Sequence, residues 1–368
     1  MSEESPSGPR LTVRGLRAVG IEVPMTHALG TSRATLTKAP LLLIDLATEE
    51  GVTGRAYLFC YVRRAAPAIA ALLEEIEALT KGERLAPVDL WGKLAKRFAL
   101  IGVQGIVRMA MAGFDVACWD ALARAAGVPL ARLLAAEPKR IPAYNSCGLG
   151  LMEPRALARE AEALLGRGFG AVKLRLGYAT LQEDIAALAA VRSAVGEAVT
   201  VMVDYNQALT VAEALGRGRA LAQAGIYWLE EPIRHDDYAG AARLARELTV
   251  PIQIGENFSE PASMAAAIAA GAADYVMPDL ERIGGVTGWQ RAAALAGAHR
   301  IEMSSHLFPE VSAHLLSATP TCHWLEWVDW AEAFLQEPLA IVDGHAVTPE
   351  RPGNGLEWNA KAVEKFKM

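Results

Sequence analysis

The sequence lacks the features by which membrane and secreted proteins are recognised. Its 368 residues contain no apolar run close to the roughly 20 residues of a membrane-spanning helix. The first ten residues, MSEESPSGPR, are polar and lack the apolar stretch of a signal peptide. We therefore expect no membrane contact, a disordered segment over residues 1–10 and a cytoplasmic location.

The chain is also poor in cysteine and has no basic cluster. Its four cysteines, Cys60, Cys118, Cys147 and Cys322, are scattered without a Cys-x-x-Cys pair, which argues against zinc or disulfide roles. The net charge of −6 and the absence of a run of Lys and Arg argue against nucleic acid as a partner. With 52% apolar residues, the composition indicates a compact enzyme, and the length predicts two domains.

Residues 11–140 are predicted to form an α+β domain. Two apolar, β-branched strands joined by a Glu-Gly turn are predicted within Leu41–Phe59. Helical spacing of apolar residues follows in Ala66–Leu79, Val88–Phe98 and Ile106–Ala126. The segment Met25–Lys38 has no clear period and is rich in Thr, Ala and Gly, so a mobile loop is predicted there.

From residue 141 the pattern changes to short apolar strands that alternate with Ala-rich amphipathic helices. The eight candidate strands are Pro142–Cys147, Ala171–Leu176, Val199–Asp204, Ile226–Glu231, Pro251–Glu256, Asp274–Asp279, Ile301–His306 and Trp324–Trp327. Eight buried strands alternating with helices indicate a closed parallel barrel. The predicted fold is therefore α/β, with a (β/α)-barrel over 141–336. The Pro/Gly-rich segment 337–368 is predicted to pack back against the first domain.

Nearly every predicted strand ends in an ionisable residue. These residues are Lys173 and Arg175, Asp204, Glu230, Glu256, Asp279, His306 and Glu326. From Asp204 to His306, successive members are separated by 23 to 27 residues, about one strand–helix repeat. All should therefore meet at the C-terminal end of the barrel, where barrel active sites lie.

Three of these carboxylates, on successive strands, predict a metal site. Asp204, Glu230 and Glu256 offer only oxygen, and so many carboxylates cannot be buried together without a cation. An all-oxygen set favours Mg²⁺ over zinc, with Mn²⁺ as an alternative.

A second group of strand-end residues predicts acid–base chemistry. Lys173 and Arg175 are two apart on one strand and point to the same side. They are expected to face Asp279 and His306 across a substrate. There, Asp279 would fix the tautomer of the imidazole and raise its basicity.

Several motifs, taken together, closely resemble the mandelate racemase group of the enolase superfamily. The motifs are VMVDYNQ (Val201–Gln207), WLEEP (Trp228–Pro232), IGEN (Ile254–Asn257), MPD (Met277–Asp279), IGGVTGW (Ile283–Trp289), SSHLF (Ser304–Phe308) and ATPTCHWLEW (Ala318–Trp327). The resemblance extends from about Gly15 to the C-terminus. It implies an N-terminal α+β capping domain, a modified TIM (β/α)-barrel and a homo-octamer.

The resemblance also implies a role for each site residue. Asp204, Glu230 and Glu256 would bind Mg²⁺ with Asn206 beside them, and Lys173 and Ser146 would contact the carboxylate of a small-molecule substrate. His306 with Asp279 would be the base on one face, and Glu326 a protonated acid that donates to a carboxylate oxygen. Leu29, Leu36, Tyr61, Leu100, Leu307 and Val328 match positions that line an apolar pocket. Together these groups would stabilise an enediolate formed by loss of the α-proton.

The sequence departs from the family at the second strand, where Lys-x-Lys is replaced by Lys173-Leu174-Arg175. The second lysine of the motif is the base on the opposite face, and a guanidinium has no lone pair to accept a proton. The leading hypothesis is a racemase or epimerase of 2-hydroxycarboxylates. The alternative is an acid-sugar dehydratase with His306 as its single base, and a small-molecule binding protein is a third hypothesis.

A further departure lies in the capping segment MTHALGTSRATLTK. There Arg33 replaces a small apolar residue of the family example. An exposed arginine is the common case in a loop. Directed inward, Arg33 would favour a substrate with a second carboxylate or several hydroxyls.

Overall fold

The computed structural model describes residues 10–368, so nearly all of the predicted disordered segment 1–10 lies outside the described residues. The N-terminal part is a three-stranded antiparallel sheet in the order β1-β2-β3, covered by helices. The strands are Val13–Gly30, Thr35–Thr48 and Thr53–Phe59, and the helices α1–α4 are Ala65–Thr80, Pro87–Phe98, Gly105–Ala125 and Leu130–Leu133. The predicted capping fold is confirmed.

The prediction of a mobile loop over Met25–Lys38 is wrong. Most of this segment belongs to β1 and β2, which form a long hairpin with Leu29 opposite Leu36. Only residues 31–34 form the turn, where Thr31 N donates to Ala34 O at 2.9 Å. The hairpin end lies over the barrel mouth, and most of its side chains are exposed or half-buried. Its side chains therefore show no apolar alternation, although its backbone is paired on both sides of a register shift between Pro24 and Leu29.

The C-terminal part is the predicted barrel of eight parallel strands. Strands β4–β11 are Arg140–Asn145, Ala171–Arg175, Thr200–Asp204, Leu229–Glu230, Ile252–Ile254, Tyr275–Val276, Glu302–Met303 and Leu325–Trp327. Neighbours pair in chain order from β4 to β10, and β11 pairs with β4. The ring is closed between β10 and β11, where Ser305 N donates to Trp324 O at 3.0 Å. The prediction of a modified TIM barrel is confirmed.

Helices alternate with the barrel strands and cover them. They are α5–α12, with bounds Pro154–Leu164, Leu181–Val195, Val211–Gln223, Tyr238–Glu247, Pro261–Ala270, Leu280–Ile283, Gly285–His299 and Pro309–Ser317. Helices α6 and α7 begin at capping boxes, in which Thr180 and Thr210 exchange hydrogen bonds with the glutamate three residues later. Within residues 10–368, no helix has both the length and the apolar character needed to cross a bilayer.

The C-terminal segment contacts both parts of the molecule. It contains β12 (Ala340–Val342), β13 (His345–Val347) and α13 (Ala360–Phe366), and β13 pairs with barrel strand β4. Glu357 accepts hydrogen bonds from Arg55 and Arg124 of the capping domain, and Trp358 Nε1 donates to Asp45 Oδ1 at 2.8 Å. The boundaries assigned at residues 140 and 336 remain predictions.

Buried carboxyl groups cross the junction between cap and barrel. Tyr57 Oη of β3 donates to Glu310 of α12 at 2.6 Å, and the backbone N of Phe59 donates to Glu281 at 3.1 Å. Burial is the main cause that raises the pKa of Glu310 to about 7. These contacts hold the cap over the C-terminal end of the barrel.

Candidate active site

Three carboxylates meet at the barrel mouth, as the strand ends predicted. Asp204 ends β6, Glu230 ends β7 and Glu256 follows β8. Each offers an oxygen within 4.8 Å of the others. Burial raises the pKa of Asp204, and burial together with neighbouring carboxylates raises that of Glu230 to about 8. These raised pKa values show that the negative charge of the group is costly without a bound cation, and its all-oxygen donor set suits the predicted Mg²⁺.

The loop after β6 holds the first of these carboxylates in place. Asn206 donates to Asp204 through its backbone N at 2.7 Å and through its Nδ2 at 2.8 Å. Asn206 has a positive φ of 47°, a strained conformation for a residue other than glycine. Its Oδ1 is buried without a hydrogen-bond partner and therefore has a free acceptor beside the carboxylates.

Lys173 is buried among the carboxylates. Its Nζ lies 2.8 Å from Glu230 Oε1 and 2.6 Å from Glu326 Oε1, and 3.6 Å from Asp204 Oδ2. Burial alone would lower the pKa of Lys173, but these carboxylates outweigh it and raise the pKa well above its usual value. Lys173 is therefore a fixed cation beside the triad.

His306 and Asp279 form the predicted pair. Asp279 ends the loop after β9, and its Oδ1 accepts from the backbone N of Glu281 and of Arg282 at the start of α10. Its Oδ2 lies 2.6 Å from His306 Nδ1. Because the carboxylate can only accept, Nδ1 carries the proton in this bond. His306 Nε2 therefore faces the cavity, 3.1 Å from Glu256 Oε2.

Arg175 has most of its donors engaged with the backbone. Its Nη1 donates to Gly148 O at 2.7 Å and Ser146 O at 3.2 Å, and its Nη2 donates to Ser146 Oγ at 3.1 Å. The side chain is 5% exposed, and its Nε is buried without a partner. A guanidinium stays protonated, and this one is also fixed by the loop after β4. It cannot take a proton from a substrate.

Two expectations for this side of the site need correction. Glu326 was expected to be protonated, but the Lys173 ammonium 2.6 Å away opposes its burial, and the pKa of Glu326 is lowered to about 2. As a carboxylate it accepts from Ser146 Oγ at 2.6 Å and from Leu307 N at 2.9 Å. Ser146 was expected to contact substrate, but its hydroxyl lies between Glu326 and Arg175 and the residue is 1% exposed. It positions these two side chains instead.

A cavity of about 290 Å³ lies over these groups, between the barrel and the cap. Its polar floor is formed by Lys173, Arg175, Asp204, Asn206, Glu256, His306 and Glu326. Its apolar wall is formed by Leu29, Leu36, Phe59, Tyr61, Leu307, Val328 and Trp330. Leu100, which was expected in the pocket, is fully exposed at the loop after α2.

Arg33 lies at the edge of the cavity, although most of its side chain is exposed. Its Nε donates to Asn206 O at 3.3 Å and its Nη2 to Gln207 O at 3.1 Å. The neighbouring Ser32 donates to Tyr205 O at 3.3 Å. Two successive hairpin residues thus bond three successive carbonyls after β6, so the hairpin end is fixed to the loop that holds Asp204.

Comparison with known families identifies the chain. The family described as "Enolase C-terminal domain-like" matches residues 156–362, and the one described as "Mandelate racemase / muconate lactonizing enzyme, N-terminal domain" matches residues 16–135. Together the matches span most of the sequence. The chain belongs to the mandelate racemase / muconate lactonizing enzyme family. It is an enzyme of the enolase superfamily, which leaves the binding-protein hypothesis without support.

The proteins similar to this chain include a dehydratase and two crystal structures described as enolases. The chain is 32% identical to L-talarate/galactarate dehydratase of Salmonella typhimurium, over 89% of this chain and 82% of that protein. An enolase from alpha proteobacterium BAL199 with bound Mg is 44% identical, with a TM-score of 0.95 over 97% of this chain and 100% of that one. An enolase from Bradyrhizobium with magnesium and mandelic acid is 41% identical, with a TM-score of 0.93 over 98% of this chain and 99% of that one.

The structure adds two site residues that the sequence reasoning missed. Asn257 Nδ2 donates to both oxygens of Glu231 at 2.9 Å and to Glu256 Oε1 at 3.0 Å. Arg282 Nη1 donates to Glu256 O and Asn257 Oδ1, and its guanidinium lies 4.9 Å from the centre of the Tyr61 ring. Asn257 directly follows a predicted metal ligand, and Arg282 lies three residues after Asp279. Adjacency to a strand end was therefore the signal that could have found both.

Proposed function

We propose that this enzyme is a Mg²⁺-dependent dehydratase of a hydroxylated acid, with His306 as its single base. The observation that carries this proposal is the contrast between the two sides of the cavity. On one side His306 Nε2 faces the triad, and on the other Arg175 replaces the lysine of the family motif and is bonded to Ser146 and Gly148. One base is enough for an elimination, whereas racemisation needs an acceptor on each face of the α-carbon.

Asp204, Glu230 and Glu256 are proposed to hold the Mg²⁺, with Mn²⁺ as an alternative. When bound, the ion supplies positive charge at the oxygens of the substrate carboxylate, where charge develops as the α-proton leaves. Lys173 is already positioned by three carboxylates and would share one of these oxygens. Asn206 Oδ1 would accept from the 2-hydroxyl group.

The proposed reaction moves one proton and one hydroxyl group. His306 Nε2 takes the α-proton while Asp279 stabilises the imidazolium through Nδ1. The electron pair of the broken C–H bond then expels the hydroxyl at the next carbon, which leaves as water with the proton from Nε2. The remaining enol converts to a 2-keto-3-deoxy acid, so that atoms balance with no other reactant.

The relatives support this reading more than racemisation. L-talarate/galactarate dehydratase of Salmonella typhimurium is a lyase, and dehydratases of arabinonate, D-gluconate and D-xylonate are also similar to the chain. The racemase hypothesis, which the sequence favoured, is the weaker candidate. Two observations still favour it: the apolar wall of the cavity and the mandelic acid in the Bradyrhizobium structure.

The test is proton exchange and product formation in D₂O with Mg²⁺. We would incubate the enzyme with mandelate, gluconate, galactonate, arabinonate, xylonate and galactarate, and follow each acid by NMR. The proposal expects a 2-keto-3-deoxy product from at least one sugar acid and deuterium exchange on one face only. Interconversion of the mandelate enantiomers without any keto product would favour the racemase, and no exchange with any acid would contradict both.

The homo-octamer implied by the family resemblance stays a prediction, as does the cytoplasmic location. Light scattering of the purified protein would determine the number of subunits.

A further inference from the structure

The short helix α10 lies between the cap and the proposed base. Asp279 caps its start, and Asp279 Oδ1 accepts from the backbone N of Glu281 at 2.8 Å and of Arg282 at 3.1 Å. The other oxygen, Oδ2, lies 2.6 Å from His306 Nδ1. Both oxygens of this carboxylate are engaged, so a shift of α10 also moves the group that orients the imidazole.

The side chain of Glu281 connects this helix to the cap. Its Oε2 accepts from the backbone N of Phe59, at the end of β3, at 3.1 Å. Glu281 is 1% exposed, and its Oε1 is buried without a hydrogen-bond partner. Burying a carboxyl group costs free energy that an apolar side chain of similar size would not. A carboxyl group at this position therefore calls for an explanation other than packing.

The surroundings of Glu281 favour its neutral form. Burial raises the pKa of Glu281 well above its usual value, and the neighbouring Asp279 carboxylate adds to this effect. Arg282, the bond from Phe59 and His306 oppose it. Because Oε2 accepts the bond from the cap, the proton belongs on Oε1. Glu281 thus gives the cap an acceptor without placing a second negative charge beside the pair.

The cap contacts the barrel at a second point, one helix farther from the proposed base. Thr287 N of α11 donates to Asp115 Oδ2 at 2.9 Å, and Thr287 Oγ1 accepts from Trp119 Nε1 at 3.0 Å. Both cap residues lie on α3. A Gly-Gly step separates this point from α10. Loss of the Trp119 bond should therefore weaken the junction without moving Asp279.

We infer that Glu281 is a positioning residue, which fixes the Asp279–His306 pair in its reacting orientation by tying α10 to the cap. Phe59, at the other end of the tie, also lines the cavity. The wall that meets the substrate and the pair that takes its proton are thus linked through one side chain. This inference rests on the proposed function, because it takes His306 as the base.

The test compares Glu281→Leu with the conservative variant Glu281→Gln. The leucine leaves Phe59 N without an acceptor, whereas the amide oxygen of glutamine restores one. The probe is the acid that exchanges fastest in the NMR assay with the unaltered enzyme. We expect Glu281→Leu to lower its α-proton exchange about 10- to 100-fold, because small displacements of reacting groups are costly, and to change its Kd by less than about 3-fold.

The glutamine variant should rescue the reaction. Glu281→Gln is expected to stay within about 3-fold of the unaltered enzyme in both exchange and Kd, the latter measured by calorimetry with Mg²⁺. Equal losses of exchange in the two variants would overturn the inference. A loss of binding in Glu281→Leu as large as its loss of exchange would do the same, because a positioning residue acts on the reaction and not on affinity.

Thermal unfolding separates positioning from support of the fold. Glu281→Leu should lower the Tm, because it leaves a buried donor unpaired. The matched control is Trp119→Phe, which removes the bond to Thr287 at the same junction. It should also lower the Tm but keep exchange within about 2-fold. If Trp119→Phe lost as much exchange as Glu281→Leu, the effect would come from a loosened cap and the inference would be wrong.

Amide hydrogen exchange separates failure of the inference from failure of the proposed function. The backbone N–H groups of Glu281 and Arg282 are bonded to Asp279 Oδ1, and mass spectrometry of peptides spanning residues 279–285 follows them without substrate. We expect protection to fall in Glu281→Leu and to be retained in Glu281→Gln and Trp119→Phe. If no acid reacts but protection follows this pattern, the proposed function fails and the positioning role stands. If acids react while protection is equal in all variants, the inference fails alone.

Discussion

The two ends of the barrel each hold a buried histidine, and the two have opposite properties. At the C-terminal end, His306 is bonded to Asp279, and nearby carboxylates raise its pKa although burial alone would lower it. At the N-terminal end, His323 Nε2 lies 2.9 Å from Tyr227 Oη among aromatic rings, and burial lowers its pKa to about 4. Both are well shielded from solvent, so the charge of the neighbours decides which one can act as a base.

Replacing each histidine by asparagine is the strongest test of this contrast. His306→Asn should lower α-proton exchange by up to about 10⁴-fold, because it removes the proposed base. His323→Asn should leave exchange within about 2-fold and lower the Tm, because its contacts are structural. Exchange in D₂O by NMR and thermal unfolding measure the two effects. Equal losses of exchange in both variants would break the contrast.

Metal dependence should likewise be confined to the C-terminal end. Treatment with EDTA, or Glu256→Gln, is expected to lower activity by about 10³-fold. Added Mg²⁺ should restore the treated enzyme and raise its Tm, since a ligand stabilises the folded state that binds it. The control is Glu302→Gln, which alters a half-exposed carboxylate beside His323. If this variant also lost its response to Mg²⁺, the assigned site would be wrong.

Proton exchange on the second face of the substrate can be tested with the Arg175→Lys variant. A lysine there would have a neutral form with a lone pair, and so could accept a proton. We expect exchange on the opposite face to rise by about 10-fold, with a lower Tm because bonds to Ser146 and Gly148 are lost. Chiral analysis of deuterium incorporation measures the gain. The control Arg217→Lys changes a half-buried arginine that donates to Asp184 outside the cavity, and it should lower only the Tm.

The smallest expected effect concerns a buried carboxyl at the junction between the cap and the barrel. Glu310 has a pKa of about 7 in the folded protein, against 4.5 as its ordinary value. Between pH 4.5 and 7 the folded state holds a proton that the unfolded state releases, so the free energy of unfolding falls as pH rises. Glu310→Gln keeps an acceptor for Tyr57 and should remove this fall, worth about 3 kcal/mol at pH 8.

Thermal unfolding of the Glu310→Gln variant and the unaltered protein at pH 5 and pH 8 measures this effect. At pH 5 the variant should have about the same Tm as the unaltered protein, and at pH 8 it should have a higher Tm. A constant difference at both values would show that the carboxyl does not titrate in this range.

The sequence predicted the barrel and the positions of its charged residues because both follow from a simple repeat. Each strand is short and apolar, and each polar residue at its end must reach the same edge, as Asp204, Glu230 and Glu256 do. The hairpin over Met25–Lys38 could not be predicted in this way. It is held by backbone pairing and by bonds from Ser32 and Arg33 to distant carbonyls, and neither leaves a periodic pattern.

The ionisation and the contacts of individual side chains could not be predicted from the sequence either. Glu326 was expected to be neutral, but its ionisation depends on Lys173 Nζ lying 2.6 Å away. Ser146 was expected to contact the substrate, but it bonds Glu326 and Arg175. Such details depend on which side chains meet across the barrel, and strand spacing leaves that choice open.

The attachment of the hairpin has a consequence for how this enzyme could acquire new substrates. Leu29, Arg33 and Leu36 shape the cavity from the hairpin, whereas the proposed metal ligands and the proposed base belong to the barrel. The hairpin is bonded to main-chain carbonyls of residues 205–207, and these are present whatever side chains occur there. Mutation can therefore change the hairpin side chains that line the cavity while the residues of the proposed proton abstraction are inherited unchanged.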